Sequence, residues 1–121
     1  MSARKTVVER YFDGFRRSDH EQILACLAED VVWDLPGFKY LQGKEAFDSE
    51  IENENFVGSP KLAVDRMVEE GDTVVAIGTG ATTEASGSTF KFAFCDVFTF
   101  GSDAIQRVES YVVPLSSPEK E

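Results

Sequence analysis

Between positions 90 and 100 the chain runs Phe-Lys-Phe-Ala-Phe-Cys-Asp-Val-Phe-Thr-Phe. Alternation of this kind marks a strand with one buried face, because successive side chains of an extended chain point to opposite sides. The even side carries Phe90, Phe92, Phe94, Asp96, Phe98 and Phe100, and the odd side Lys91, Ala93, Cys95, Val97 and Thr99. A row of five phenylalanines on one side of a strand has to be covered by other elements, which calls for a layered domain. It also sets one carboxylate inside the row. If that side faces the core, desolvation disfavours the charged form of Asp96 and raises its pKa. A neutral carboxylic acid in an apolar cavity is a hydrogen-bond donor, suited to an oxyanion or a ligand carbonyl. The competing readings are a carboxylate paired with an arginine, one that caps backbone amides, or a register break that turns it outward.

The rest of the chain supplies the cover. At 121 residues it has the length of one domain, and its 42% hydrophobic content is that of a globular protein. Spacing of Val7, Val8, Tyr11, Phe12 and Phe15 predicts a helix over 4–17. Asp19, with Gln22 three residues later, resembles a capping box for a second short helix with Ile23, Leu24 and Leu27 on its apolar face. Val31–Leu35 reads as a strand that Pro36-Gly37 ends. A third helix is expected from Gly43 to about Asn53, with Ala46, Phe47 and Ile51 inside. Its acidic residues Glu45, Asp48, Glu50, Glu52 and Glu54 lack ligand spacing and read as a solvated face, not a cation site. Four strands follow at 61–69, 72–85, 88–100 and 104–113, separated by Glu70-Gly71-Asp72, Ser86-Gly87-Ser88 and Gly101-Ser102-Asp103 as in a meander. The expectation is a single α+β domain over 1–115, in which three helices pack on a mainly antiparallel sheet, with a disordered polar tail over 116–121.

Charge and special residues narrow the function. Twelve basic against 22 acidic residues give a net charge of −10, a field that repels phosphates and argues against nucleic acid or an anionic membrane as partner. No signal-peptide pattern and no membrane-length apolar run is seen, so a cytoplasmic location is expected. Cys26 and Cys95 read as small buried hydrophobes, with a disulfide left open. His20 is the only histidine, which rules out most zinc sites. Ser18-Asp19-His20 are adjacent and cannot face one another as a triad must. Gly78-Thr79-Gly80 lacks the third glycine and the helix of a dinucleotide loop, and marks a bend in a curved sheet.

Two further places bear on chemistry. Tyr11 lies on the inner face of the first helix, either as a core aromatic or as a hydroxyl beside a ligand. Trp33 can wall a pocket and Asp34 can act as general base. Alternation, however, puts Trp33 and Leu35 on one face and Asp34 on the other, unless a bulge near Pro36 turns the carboxylate inward.

Five segments, Val-Val-Glu-Arg-Tyr (7–11), Ala-Glu-Asp-Val-Val-Trp (28–33), Gly-Lys-Glu-Ala-Phe (43–47), Asp-Val-Phe-Thr-Phe (96–100) and Ser-Tyr-Val-Val-Pro-Leu (110–115), together with the order of elements, resemble the nuclear-transport-factor-2-like superfamily. The branch indicated is that of SnoaL-like polyketide cyclases and ketosteroid isomerases. The resemblance covers residues 4 to 114 and implies a cone-shaped fold enclosing a pocket. Set against ketosteroid isomerases, Tyr11 falls at the oxyanion-hole tyrosine and Asp96 at its protonated aspartic acid. The family's general base falls at Leu35, which cannot take a proton, with Asp34 one position away. The resemblance further implies a cavity wall of Ile51, Thr79, Ala81, Thr83, Phe92 and Phe94, continued by Phe98, Val108, Ser110 and Val112, with Phe15, Trp33 and Leu35 beside them. Cys95, Val97, Tyr111 and Val113 would lie on the outer side of the sheet, where many relatives pair, implying a homodimer. No cofactor or metal is implied.

The expected function is a small-molecule enzyme of isomerase or cyclase type. Asp96 and Tyr11 would stabilise an enolate-like oxygen of a hydrophobic carbonyl compound, and Asp34 would move the proton. The alternative is a binding protein that uses the same cavity without chemistry. Epoxide hydrolysis needs an Asp-Arg-Asp set in the pocket, for which the strands offer only Arg66 and Arg107. A protein-interaction module is disfavoured because most aromatic residues are assigned inward.

Overall fold

The computed structural model describes residues 2–52 and 56–115. Helix α1 (Ala3–Arg16) starts where the Ser2 side chain accepts from the Lys5 amide, and α2 (His20–Ala25) where Asp19 accepts from the Gln22 amide. Strands β1 (Leu27–Leu35) and β2 (Lys39–Gln42) come next, then α3 (Lys44–Ile51). Strands β3 (Phe56–Glu70), β4 (Thr73–Glu84), β5 (Thr89–Phe100) and β6 (Ile105–Pro114) complete the chain. Leu27 opens β1 and is not part of the second helix. β2 was not foreseen: Pro36-Gly37, with Gly37 at φ 85°, turns the chain into a short exposed edge strand without an apolar pattern of its own. The expected end of the third helix at Asn53, with Glu54, and the tail at 116–121 lie outside the described residues.

The six strands form one sheet in the order β2-β1-β6-β5-β4-β3. All neighbours are antiparallel except β1 and β6, which run parallel. Register breaks in β1 between Leu27 and Val32, and in β3 between Val57 and Lys61 and between Val64 and Arg66, let the sheet curl around its helices. The result is the cone-shaped α+β architecture expected.

The even face of β5 points into the cone, as alternation required: Phe94, Asp96, Phe98 and Phe100 are all buried. Helix α1 lays Tyr11 edge-on against Phe98 at 5.0 Å between ring centroids, and Phe12 stacks on Phe94 at 5.5 Å. Helix α3 contributes Phe47, stacked on Trp33 at 4.2 Å. This aromatic continuum ties the two helices to two strands, β1 and β5.

Gly78 and Gly80 are needed for close approach more than for bending. A Cβ on Gly78 would stand 2.0 Å from the Ala63 carbonyl oxygen and 2.9 Å from the Phe94 ring, and one on Gly80 would stand 2.5 Å from the Phe92 ring. The phenylalanines of β5 therefore lie across the glycines of β4, their direct cross-strand partners. On the outer face sit Val75, Ile77, Cys95 and Val97, with Tyr111 and Val113 44% and 60% exposed. No described helix is long and apolar enough to cross a membrane.

Gly78→Ala forces its new methyl into a backbone carbonyl that has no room to yield, and a loss of about 2 kcal/mol or more is expected, beyond any gain from reduced chain entropy. Urea unfolding reads this as a lower midpoint with an unchanged slope. An unchanged midpoint would show that β3 and β4 are not in this close register.

Candidate functional site

The cone encloses a cavity of about 320 Å³, at the lower end of the range for small-molecule sites. Helix α1 gives it Tyr11, Phe12 and Phe15, β1 gives Trp33 and Leu35, and α3 gives Ile51. Phe90, Phe92, Phe94 and Asp96 come from β5, Ser110 and Val112 from β6, and Leu62 and Thr82 from β3 and β4. Among the described residues that line it there is no lysine, arginine or histidine.

Asp96 is 8% exposed and its carboxyl is pushed up to about 7, chiefly because burial penalises the ionised form. The hydroxyl of Ser110, its cross-strand partner, pulls the other way. One carboxyl oxygen, Oδ1, is shut off from solvent with no hydrogen-bond partner. Ser110 is itself buried and accepts from Trp33 Nε1 at 3.0 Å. Tyr11 is 2% exposed; burial, and then the charge of Asp96, hold its hydroxyl well above the usual phenol range, so it stays a donor at neutral pH. The structure thus brings together Asp96 and Tyr11.

Asp34 does not join them. Alternation holds to the end of β1, and the strand's irregularity falls between Leu27 and Val32, too early to rotate position 34. The Asp34 carboxylate therefore points away from the cavity and takes a 2.8 Å ion pair with Arg107, whose Nε lies 3.7 Å from Glu109. This carboxylate–arginine–carboxylate set sits on the opposite side of the sheet from the cavity, which removes the arrangement that epoxide hydrolysis needs. The expected base is thus replaced at the wall by Leu35.

Of the expected wall, Phe15, Trp33, Leu35, Ile51, Phe92, Phe94, Ser110 and Val112 line the cavity. Thr79, Ala81 and Thr83 do not. Pairing of Phe92 with Gly80 and Phe90 with Thr82 puts the even residues of β4 inside, so the odd ones face out, and Thr79 and Ala81 border a shallow outer groove with Lys61 and Lys91. Phe98 and Val108 are fully buried in the core and do not reach the cavity surface. Phe12, Leu62, Thr82 and Phe90 were missed, as were Phe56, Gly58 and Pro60 of β3. Direct cross-strand partners share a face, so counting back from Phe92 across the Ser86-Gly87-Ser88 turn would have found Thr82.

Glu50 and Glu52 stand at the cavity rim, each tied to a cation-forming group. Lys39 Nζ is 2.8 Å from Glu50, and His20 bridges Asp48 and Glu52 at 2.5 and 2.6 Å, which raises the imidazole pKa through those two hydrogen bonds. His20 therefore fastens α3 to α2. Cys26 is buried in the core and Cys95 half-buried on the outer face; both are free thiols. No group of three or more His, Cys, Asp or Glu side chains is placed to hold a metal ion among the described residues.

Comparison with known proteins agrees with this geometry. The profile of the SnoaL-like domain matches residues 8–108. No match was found among curated proteins. Among solved structures, an NTF2-like protein of unknown function from Burkholderia pseudomallei is 25% identical, with a TM-score of 0.84 over 91% of this chain and 90% of that one. TerC, crystallised with polyporic acid, is 26% identical with a TM-score of 0.81 over 90% of both chains. A provisionally named polyketide cyclase from Xanthomonas campestris pv. campestris is 28% identical, with a TM-score of 0.74 over 91% and 92%.

The buried carboxyl has a signature in stability. Its folded pKa of about 7 lies above the 3.8 of an exposed aspartate, so the folded state holds the proton more tightly. The stabilisation is full below pH about 4 and lost as pH rises to about 7, and the whole span is worth about 4 kcal/mol. The difference in unfolding free energy between the wild type and Asp96→Asn, in which the other carboxylates cancel, should shift against the wild type across this window. A difference independent of pH would mean that Asp96 is solvated.

Proposed function

This chain belongs to the SnoaL-like domain family, and from that premise we propose that it is a small-molecule enzyme of isomerase or cyclase type acting on a hydrophobic carbonyl compound. One observation carries the reading: a single carboxyl, buried among aromatic rings and pushed up to about 7, lies in a cavity without a cation among its described lining residues. At neutral pH both of its protonation states are populated, which is the condition for efficient general acid–base catalysis.

With Asp34 on the other face, Asp96 takes both halves of the proton transfer. Its carboxylate removes a proton from the carbon next to the carbonyl, leaving an enolate. The Tyr11 hydroxyl donates a hydrogen bond to the enolate oxygen, where the negative charge collects. The now neutral Asp96 returns the proton at a second carbon, or donates it to the oxygen formed when an enolate carbon attacks a second carbonyl in the same molecule. The apolar wall excludes water and favours flat, uncharged substrates, since a carboxylate or phosphate would lose its hydration without gaining a counter-charge.

The withdrawal of Asp34 from the cavity favours a second reading, in which the same pocket binds a ligand without chemistry. Solvent-deuterium incorporation separates the two. With polycyclic ketones in deuterium oxide, mass spectrometry should show exchange next to the carbonyl, reduced by about 100-fold or more in Asp96→Asn. Ligand binding seen by quenching of Trp33, with exchange no faster than in buffer, would establish the binding protein.

Pairing through the outer sheet face belongs to the same proposal. Tyr111 and Val113 stand exposed there beside half-buried Cys95 and Val97, a self-complementary apolar surface that a second copy of the chain would cover. Light scattering at micromolar concentration should give twice the chain mass, and Tyr111→Glu should reduce it to one. A wild-type mass of one chain would remove the dimer.

A further inference from the structure

We propose that His20 is a pH-dependent clasp on the mouth of the cavity: as an imidazolium it bridges Asp48 and Glu52 and holds the last turn of α3 in place as cavity wall, and as a neutral ring it lets that turn go. Donors and acceptors fix the charge of the ring. Nδ1 lies 2.5 Å from Asp48 Oδ1, and Nε2 lies 2.6 Å from Glu52 Oε1. A neutral imidazole has one N–H, so its other nitrogen would turn a lone pair on a carboxylate oxygen. Only the imidazolium donates on both sides. A proton shared between an imidazole and a carboxylate rests on the imidazole, which is by far the stronger base.

Helix α3 depends on that charge. Asp48 and Glu52 stand one turn apart, where like charges repel, and Glu45 adds a third carboxylate a turn earlier. The last turn of α3 has no basic residue of its own, and a helix of 8 residues is marginal by itself. Phe47 is fully buried and stacked on Trp33, so it anchors the middle of α3 whatever the histidine does. What the clasp holds is the part beyond it, Glu50, Ile51 and Glu52, all three of which border the cavity. The other cations around α2 and α3 are engaged elsewhere. Arg16 Nε donates to the Leu62 carbonyl at 2.8 Å, Arg17 pairs with Asp13 at 3.0 Å and Asp19 at 3.4 Å, and Arg10 acts on the Cys26 thiol. Lys44 lies 3.6 Å from Glu29 at the far end of α3, and Lys39 is taken by Glu50. Of the remaining acids near the ring, Glu21 on α2 can only favour its charged form. The hydrogen bonds to Asp48 and then Glu52 raise the ring above the ordinary 6.5, so the clasp is closed below that pH and opens as pH rises through the raised midpoint.

The effect on a ligand rests on the cavity being the small-molecule site, but the clasp itself is tested without one. His20 is the only histidine, so NMR follows a single imidazole. Its midpoint should lie above 6.5. Across that midpoint the hydrogen-exchange protection of the Glu50 and Ile51 amides, corrected for the intrinsic effect of pH, should fall about threefold or more. Asp96→Asn, whose cavity carboxyl no longer titrates, should show the same fall. His20→Ala should be poorly protected throughout, and His20→Arg, which stays charged, protected throughout. Protection that stays flat across the wild-type midpoint overturns the clasp, a result that requires no variant to fold, and so does a midpoint at or below 6.5. For the mouth the probe is methyl naphthyl ketone, flat and uncharged, read by quenching of Trp33. From Asp96→Asn it should dissociate about threefold faster or more above the His20 midpoint, and adding His20→Arg should remove the change. Dissociation indifferent to pH while the amides open would place the released turn outside the mouth and overturn the proposal. No quenching at any pH would defeat the small-molecule reading of the cavity instead, with the amides still deciding the clasp.

Discussion

The placement of one carboxyl out of water is the constraint on which this fold is organised. Asp96 is held in a row of phenylalanines with Tyr11 and Trp33 closing over it, and the penalty for ionising it there moves its titration to neutrality. Every wall has to be present for that to hold. Helix α1 must bring Phe12 against Phe94, α3 must bring Phe47 against Trp33, and β4 must give up side chains at Gly78 and Gly80 so that the rings of β5 can lie flat. A gap in any of these would admit water and return Asp96 to an ordinary carboxylate.

The sheet sorts its polar groups by side. On the inner face β1, β6 and β5 carry Trp33, hydrogen-bonded to Ser110, and Asp96, with no cation among the described residues that line the cavity. On the outer face β1 and β6 carry Asp34, Arg107 and Glu109, joined as ions and partly solvated. Neighbouring residues of the same two strands thus experience opposite electrostatic environments. The separation explains why a carboxylate one position from the inner wall takes no part in it: turning Asp34 inward would break its ion pair and leave Arg107 with Glu109 alone, while adding a second charge to a cavity that has no counter-ion for the first.

Much of this was legible in the residues, and for identifiable reasons. Alternation over Phe90–Phe100 has period two and many apolar markers, so the shared face of β5 could be read directly, with the burial of Asp96 following once that face is inward. The cap at Asp19 and the turns at Gly71 and Gly87 also announced themselves. β4 was harder. Its two faces carry Val74, Ala76 and Gly78 against Val75, Ile77 and Thr79, so hydrophobicity does not distinguish inside from outside and offers no check on the resemblance, whose Thr79, Ala81 and Thr83 fall one position out of phase. Strand β2 was invisible because an exposed edge strand has no buried face to leave a pattern.

By itself the sequence determined the three helices, the strands with a buried face and the single carboxyl within the central one, because these follow from periodicity along one segment. The tertiary structure alone decided what that carboxyl meets. Whether Asp34 reaches the cavity depends on where β1 slips its register against β6, and whether Trp33 reaches Ser110 depends on those two strands running parallel. Both are set by pairing between segments more than 70 positions apart, and such pairing is a property of how side chains pack across the closed cone, which no local pattern records.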